Sequence, residues 1–274
     1  MKLQRLVAEL SKAVAQVEEP MTEARLLAAG LFGGDMAKLY RQYPAEVSPE
    51  DESRLRLAAG RRAGGEPLQH ILGEAWFFGR RFLCDHRALV PRPETETLIS
   101  AFLSEALPKN PRILDVGTGS GVIGITLALE IAGSAVTGTE NYPPAASLAR
   151  ENAALHQALN FTIAETDMVS GLFGTFHGVA ANLPYIPTKD IPGLAREVSF
   201  DPVSALDGGP TGLECVERLL RCVGPVTAPG GLLVLETGFD QTDRVCFLLS
   251  GWRDVRVVPD LAGRPRVVTA RRAA

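Results

Sequence analysis

The chain has 274 residues, a formal net charge of −4, 46% apolar residues and 22% charged residues, as in an ordinary globular protein. A chain of this length buries roughly 70–75% of its unfolded surface on folding, so its stability requires neither disulfides nor a structural metal. Its basic residues occur as isolated pairs and not as a stripe, which argues against stable binding to nucleic-acid phosphates.

Targeting and metal-binding patterns are not evident in the sequence. Its first residues mix charged and apolar side chains, unlike a signal peptide, and the longest apolar stretch, 122–129, is too short to span a bilayer. The four cysteines form no CxxC pair, and the four histidines show neither HxxxH nor HExxH spacing. We therefore predict a cytoplasmic protein with no metal site and no membrane association.

Residues 1–63 are predicted to form a small helical domain. Apolar residues recur at helix-like intervals around residues 6–10, 26–28 and 55–58, among charged residues. This segment shows no residue pattern that indicates catalysis. From its position alone, we expect the domain to recognise a protein substrate.

A change in residue pattern at position 64 indicates a linker, which we place at 64–94. It contains the aromatic cluster Trp76, Phe77 and Phe78, followed by Gly79 and a further apolar pair, a pattern typical of a β-hairpin. A helical period returns at 95–107 and opens the third segment, 95–274.

The remainder of the chain alternates between strands and helices. Continuous apolar strands that alternate with helices predict a parallel sheet covered on both faces, with ligands outside the carboxyl ends of the strands. Strands are predicted at 112–117, 135–140, 161–167, 177–185, 231–238, 255–258 and 266–269, and helices at 122–133, 144–159, 211–223 and 240–250.

A glycine loop, "LDVGTGSGVIG", follows the first of these strands. Read from Gly119, it matches the G-x-G-x-x-G dinucleotide fingerprint, where glycines admit a ligand and the helix N-terminus favours an anion. Asp115 is awkwardly placed beside a pyrophosphate, but it suits a ligand that also carries an ammonium group, as a methionine moiety does. Glu140 ends the second strand, where an acid can hold the ribose hydroxyls of an adenosine, a sugar that NAD also contains.

The fourth strand ends in "VAANLPYIPT", which suits methylation of a planar –NH₂ group. That nitrogen is a poor nucleophile because its lone pair is delocalised, so the group must be held in one orientation. Asn182 can offer its side-chain oxygen to one N–H, and the Leu183 carbonyl can accept the other. Tyr185 offers a ring face to the flat target, and Pro184 stiffens the turn.

Five segments together resemble the PrmC/HemK family: "GEPLQHILG", "VPRPETE", "ILDVGTGSGVIGITLA", "NLPYIP" and "FDPVSALDGGPTGLE". The resemblance runs from about residue 64 to the C-terminus. It implies an α/β, class I S-adenosylmethionine-dependent methyltransferase with a Rossmann-like, seven-stranded, mostly parallel sheet, a helical N-terminal domain and a β-hairpin linker. It also implies that the enzyme methylates the side-chain nitrogen (N5) of the glutamine in the Gly-Gly-Gln motif of class I peptide chain release factors.

The site follows from these motifs and from the resemblance. The residues expected to bind S-adenosylmethionine are Asp115, Gly117, Thr118, Gly119, Ser120, Gly121, Glu140, Asp167, Met168 and Asn182. The residues expected to hold the glutamine amide and form the catalytic group are Asn182, Leu183, Pro184 and Tyr185, with Arg92 and Glu94 lining the same cleft.

One position departs from the family pattern, which usually reads Asn-Pro-Pro-Tyr. Leu183 keeps the carbonyl that the mechanism uses, but it frees φ and adds an N–H. Asn-Leu-Pro-Tyr is also found in enzymes that resemble ribosomal RNA adenine dimethyltransferases. N6-adenine methylation of RNA or DNA is therefore the main alternative to the glutamine reaction.

Two further alternatives come from other classes. A non-catalytic cofactor-binding protein would need neither Asn182 nor Tyr185, and an NAD-dependent oxidoreductase is suggested by the glycine loop alone. The leading hypothesis predicts a release factor as partner, no stable nucleic-acid complex and a monomeric enzyme.

Overall fold

The computed structural model describes residues 1–32 and 34–273, and the chain divides into two compact units. One comprises Met1–Glu74 with Ala195–Phe200, and the other comprises Ala75–Leu194 with Asp201–Ala274. The division falls at Glu74 and not after residue 63, because a short helix at Leu68–Leu72 packs with the N-terminal helices and buries Ile71 in their core.

The first unit contains five helices among the residues described. They are α1 (Leu3–Ala13), α2 (Pro20–Leu31), α3 (Met36–Gln42), α4 (Pro49–Ala63) and α5 (Leu68–Leu72). Side-chain caps start two of them: Asp35 accepts a hydrogen bond from the Lys38 amide at 2.7 Å, and Ser48 accepts one from the Asp51 amide at 3.1 Å.

The core of this unit is formed by leucines that share one face of each helix, including Leu6, Leu27 and Leu55. Leu26 and Leu57 lie outside it and are 37% and 69% exposed. Each is adjacent in sequence to a core position or two residues from one, and neighbours at those spacings point to another face of a helix.

Residues 195–200 contribute a carboxylate to the first unit. Glu197 pairs with the buried Arg62 at 2.9 Å, and Arg62 also pairs with Glu23 on α2. The guanidinium has five donors and is satisfied by two carboxylates and by the Glu66 carbonyl, so its burial carries no unpaired charge.

The predicted β-hairpin is confirmed. Strands β1 (Glu74–Phe77) and β2 (Arg80–Leu83) form a two-stranded sheet, joined by Phe78 and Gly79 with φ of 48° and 72°. Two positive φ values are the requirement of a tight primed turn. Alternation buries Phe77 and leaves Trp76 68% exposed, so the aromatic residues do not form one cluster.

The second unit is built on a seven-stranded sheet in the order β5-β4-β3-β6-β7-β9-β8. The sheet is mostly parallel, as expected, with β9 antiparallel to both of its neighbours. Its strands are β3 (Arg112–Val116), β4 (Ala135–Glu140), β5 (Phe161–Glu165), β6 (Phe176–Asn182), β7 (Thr227–Glu236), β8 (Arg253–Pro259) and β9 (Pro265–Arg271). Its helices are α6 (Thr95–Leu103), α7 (Val122–Glu130), α8 (Pro143–Leu155), α9 (Glu214–Val226) and α10 (Thr242–Leu248).

Helices cover both faces of this sheet, which is why its strands read as continuous apolar runs. In β3, Ile113 belongs to a core that includes Phe102 of α6, whereas Leu114 belongs to a second core that includes Leu219 of α9. Among the helices described, none is both long and apolar enough to cross a membrane.

Parallel pairing places three strand ends side by side. Val116 of β3 is in register with Thr139 of β4 on one side and with Ala181 of β6 on the other. The loop after β3 and the ends of β4 and β6 therefore meet at one edge, where ligands bind in such sheets. The strand β6 ends at Asn182 and not at 185, because the proline at 184 has no N–H to continue the ladder.

Candidate active site

A cavity of about 320 Å³ lies at this edge of the sheet. It is within the size range of small-molecule sites in proteins. The sequence-predicted residues that line it are Arg92, Gly117, Thr118, Gly119, Ser120, Glu140, Asp167, Met168, Asn182, Leu183 and Pro184. Four others do not line it: Asp115, Gly121, Tyr185 and Glu94.

The glycine loop holds its shape through left-handed backbone. Gly117, Gly119 and Gly121 have φ of 69°, 55° and 86°, values that residues with a Cβ adopt at a cost. The amide of Thr118 donates to the Thr139 carbonyl at 2.8 Å, which ties the loop to the end of β4. The loop therefore presents bare backbone to the cavity.

Asp115 lies beneath this loop and is completely buried. Its Oδ2 accepts hydrogen bonds from the Thr118 hydroxyl at 2.5 Å and from the Gly124 amide at 2.8 Å, while its Oδ1 has no partner within the part of the chain described. Burial raises the pKa of Asp115 to about 7, and the two hydrogen bonds oppose the rise. The carboxyl thus braces the loop and faces the protein interior.

Glu140 is oriented by two backbone amides. Its Oε2 accepts from Gly119 and its Oε1 from Tyr142, each at 2.9 Å. Each oxygen of an ionised carboxylate has a second lone pair, so both can still accept from a ligand. The side chain is therefore fixed at the cavity wall, with acceptors available to a diol.

Met168, which follows β5, also lines the cavity. Its backbone has φ 53°, a left-handed conformation rare for a residue with a Cβ. Asp167 beside it forms an ion pair with Arg218 of α9 at 2.5 Å. Arg218 and Cys215 also line the cavity, and the sequence motifs gave no signal for either.

Asn182 projects from the end of β6 into the cavity. Its Nδ2 donates to the hydroxyl of Thr95 at 3.1 Å, and its Oδ1 accepts no hydrogen bond from the residues described. An amide with its donor end held by the protein and its acceptor end available suits a ligand that brings N–H groups.

Leu183 is buried and links the turn to the glycine loop. A Cβ added to Gly117 would lie 2.9 Å from the Leu183 Cδ2, so the leucine side chain packs directly over that glycine. The side chain also belongs to the core on the α9 face of the sheet. Leucine at this position therefore fills a defined space, which the proline usual in the family would fill differently.

The segment 206–213 supports the turn from behind. The Ile186 amide donates to the Leu206 carbonyl at 3.1 Å, and the Gly208 amide donates to the Ile186 carbonyl at 2.9 Å. A Cβ on Gly208 would lie 2.8 Å from the Pro184 carbonyl oxygen, and one on Gly212 would overlap the Tyr185 carbonyl oxygen. The glycines of "DGGPTGLE" thus permit a close approach of two backbones.

Gln241 completes this support. Its Nε2 donates to the Tyr185 carbonyl at 2.8 Å, and its Oε1 accepts from the Gly238 amide at 3.0 Å. The side chain thereby ties the turn to the segment that follows β7. No sequence motif indicates this residue, because a lone glutamine beyond a strand has no local signature.

The two most specific sequence motifs contact each other. Arg92 of "PRPETE" pairs with the buried Asp201 of "FDP" at 2.8 Å, and Asp201 also accepts from the Val90 amide at 3.1 Å. Arg92 also lines the cavity, whereas Glu94 does not line it.

Glu236 is a buried acid that the sequence analysis did not select. It ends β7 in register with Asn182 of β6, and burial raises its pKa to about 7. The Tyr185 hydroxyl lies 3.5 Å from its Oε1, and burial raises the pKa of that tyrosine to about 12. One sequence signal could have identified Glu236: like Glu140, it is an acid at the end of an apolar strand.

Comparison with solved structures identifies the fold. A methyltransferase from Pyrococcus furiosus superposes with a TM-score of 0.54 and 16% identity, covering 83% of this chain and 100% of that chain. A likeness at that identity shows the fold alone. The fold is that of a class I methyltransferase, as the sequence analysis predicted.

Sequence comparison then gives the family. Residues 3–73 match the PrmC N-terminal domain and residues 95–197 match the methyltransferase small domain. The release factor glutamine methyltransferase of Deinococcus radiodurans is 40% identical over 94% of this chain and 94% of its own. That of Koribacter versatilis is 37% identical over 94% of this chain and 93% of its own. The chain belongs to the release factor glutamine methyltransferase family, which confirms the resemblance.

Proposed function

We propose that this protein transfers a methyl group from S-adenosylmethionine to the side-chain amide nitrogen (N5) of the glutamine in the Gly-Gly-Gln motif of class I release factors. The observation that carries the proposal is Asn182, whose amide nitrogen is held by Thr95 while its oxygen remains available at the cavity. The names of the related proteins support the same reaction and substrate.

The cavity fits the cofactor by the chemistry of its donors and acceptors. The left-handed glycine loop exposes backbone that can approach a carboxylate closely, at the N-terminus of α7. Glu140 has acceptors for the ribose hydroxyls. Asp167 and Met168 line the same cavity, and we assign them to the adenine. When bound, S-adenosylmethionine supplies an electrophilic methyl group whose C–S bond breaks as the new C–N bond forms.

The residues of the turn orient the amide for this transfer. The Asn182 oxygen accepts one N–H of the glutamine side chain, and the Leu183 carbonyl accepts the other. Two acceptors turn the nitrogen lone pair toward the methyl group and stabilise the positive charge that builds there. The nitrogen then loses one proton to water, so the chemistry needs no ionisable base.

The first unit and the cleft residues would select the protein substrate. We assign residues 1–63 to recognition of the release factor, and Arg92 to the cleft that receives the glutamine loop. A net charge of −4 and the isolated basic pairs favour a protein partner over nucleic acid. The enzyme acts as a monomer in the cytoplasm, where release factors work.

Methyl transfer to a release factor and to its Gln→Ala variant tests the proposal. Transfer that needs both the glutamine and Asn182 of the enzyme supports it. If the release factor stays unmodified while RNA or DNA is methylated, the adenine reaction takes its place. That alternative also predicts binding that weakens steeply with salt.

A further inference from the structure

Behind the turn lies a buried polar cluster whose members come from three elements. Thr95 begins α6, Asn182 ends β6 and Glu236 ends β7. Thr95 and Glu236 are both buried, and the two strand ends are in register. A carboxyl group in such a place costs free energy unless its hydrogen bonds are made, so its presence calls for a physical reason.

The donors and acceptors in the cluster determine which group donates to which. A hydroxyl has one proton to donate, whereas an ionised carboxylate has none. Glu236 Oε2 is buried and has no hydrogen-bond partner among the residues described, and the neighbouring Thr95 hydroxyl lowers the pKa of Glu236. When Glu236 is ionised, this oxygen can only accept, so it draws the Thr95 proton toward it. The Thr95 oxygen is then left as an acceptor, and it accepts from Nδ2 of Asn182 at 3.1 Å.

Protonation of Glu236 removes this constraint. The neutral acid carries a proton of its own and can donate it to the Thr95 oxygen, and the Thr95 proton is then free to turn toward Asn182. Either end of the Asn182 amide can face Thr95 in that state, because a hydroxyl both donates and accepts. Only the ionised acid specifies which end of the amide faces the cavity.

We propose that Glu236 is a positioning residue that acts through Thr95 to keep the oxygen of Asn182 directed at the cavity. The inference rests on the proposed function in that Asn182 is taken to hold the methyl-accepting amide. It adds a residue to the site that contacts neither cofactor nor substrate, and it makes the site sensitive to the charge of one buried carboxyl.

Few groups besides the cluster act on Glu236. Arg266 of β9 lowers its pKa, Glu94 raises it, and the Tyr185 hydroxyl lowers it less. Arg266 is itself engaged by Asp260 at 3.5 Å and donates to the Thr237 carbonyl at 3.3 Å. Desolvation therefore dominates and leaves a pKa of about 7, so ionisation of Glu236 falls within the working pH range.

The first test is the pH profile of methyl transfer to a release factor. In the unmodified enzyme, kcat should rise with pH and level off above about 7, where Glu236 is ionised. Glu236→Gln cannot ionise, so its profile should lose this step, with kcat lower by up to about 100-fold above pH 8. The dissociation constant of S-adenosylmethionine, measured by calorimetry, should stay within a fewfold of the original.

A matched pair at Thr95 separates positioning from packing. Thr95→Val keeps the shape and removes the hydroxyl, so it should lose the pH step as Glu236→Gln does. Thr95→Ser keeps the hydroxyl and should retain the step. Equal profiles for the valine and serine variants would overturn the inference, and this pair decides it even if Glu236→Gln fails to fold.

A second measurement needs no methyl acceptor. The side-chain NH₂ resonance of Asn182, identified in ¹⁵N-labelled protein by its loss in Asn182→Gln, should shift with a midpoint near pH 7. It should not shift in Glu236→Gln or Thr95→Val. A resonance that stays fixed in the unmodified enzyme, or moves equally in all variants, would show the inference to be wrong. If the enzyme leaves release factors unmethylated, the proposed function fails, while this titration still decides the role of Glu236.

Discussion

The glycine loop and the Asn-Leu-Pro-Tyr turn follow adjacent parallel strands, yet they hold their shapes in different ways. The loop is defined mostly by residues near in sequence: three glycines with positive φ, and an acid that accepts hydrogen bonds from residues three and nine positions further along. The end of the neighbouring strand β4 adds its support. The turn depends on distant residues. Asn182 is held by Thr95, 87 residues away, and the Tyr185 carbonyl by Gln241, 56 residues away.

This difference suits the two tasks. A cofactor that many enzymes share can be bound by a locally encoded loop, whose backbone supplies the contacts. The turn must hold an amide within a narrow range of angles, and such precision requires side chains and backbone packed on several sides. A change in the loop should therefore weaken mainly cofactor binding, whereas a change in the turn should slow mainly methyl transfer.

Replacing Asn182 by alanine should slow methyl transfer at the turn and leave cofactor binding by the loop largely intact. Loss of one acceptor aimed at the reacting group is expected to lower kcat roughly 10²–10³-fold. The affinity for S-adenosylmethionine, measured by isothermal titration calorimetry, should fall far less, since the glycine loop and Glu140 remain. A loss of cofactor affinity as large as the loss of kcat would refute the separation.

Gly212→Ala should distort the turn while leaving all of the turn's own residues unchanged. Gly212 has φ 79°, and its added Cβ would overlap the Tyr185 carbonyl oxygen, so the turn must shift. A displacement of about 1 Å is expected to lower kcat by up to about 100-fold. The matched control is Gly263→Ala, where φ is 76° and, among the residues described, none outside its chain neighbours has an atom within 4 Å of the new Cβ. If both variants have the same kcat, backbone strain and not contact with the turn explains the effect.

The difference between a locally encoded loop and a turn held by distant residues also explains which features the sequence could predict. The glycine loop and the alternating strands were predictable because periodicity and glycine spacing are local signals. The position of Asn182 followed, since it ends a predicted strand. Asp115 was expected to meet a ligand's ammonium group, but its side chain points beneath the loop, and one-dimensional spacing does not tell the two faces of a strand end apart.

The supporting residues could not be predicted in this way. Thr95, Gln241 and Glu236 become significant only through the order β3-β6-β7, which places their elements behind the turn. Strand order in a parallel sheet is set by packing and by crossover connections, and a single sequence does not display it. Leu57 shows the converse error, an apolar residue near a core face that the helix turns outward.

Gly117 and Leu183 test whether the two regions are coupled. Alanine at 117 adds strain at φ 69°, on the order of 1–2 kcal/mol, and its Cβ would meet the Leu183 side chain at 2.9 Å. Cofactor affinity should therefore fall by about 10-fold. In the Gly117→Ala, Leu183→Ala double variant the steric contribution disappears and the strain stays, so the fall should be partly reversed. Strictly additive effects on the dissociation constant would show that the leucine does not press on the loop.

The smallest expected effect concerns stability and is confined to the loop. Burial raises the pKa of Asp115 to about 7 in the folded protein, against an ordinary value of 3.8, so the folded state holds this proton more tightly than the unfolded chain. Its contribution to stability is full below about pH 4 and is lost as pH rises to 7. Asp115→Asn imitates the protonated acid and removes that slope.

The melting temperature of Asp115→Asn relative to the unmodified enzyme should therefore increase between pH 4 and 7 and stay constant above 7. A change of a few degrees is expected, because 1 kcal/mol moves the melting temperature by roughly 2–4 °C in a domain of this size. Since Glu236 titrates in the same range, Glu236→Gln should give a slope of the same sign, and the double variant should add the two. A difference that does not vary with pH would mean that the Asp115 carboxyl is ionised in the folded loop, in which case the Thr118 hydroxyl and the Gly124 amide outweigh its burial.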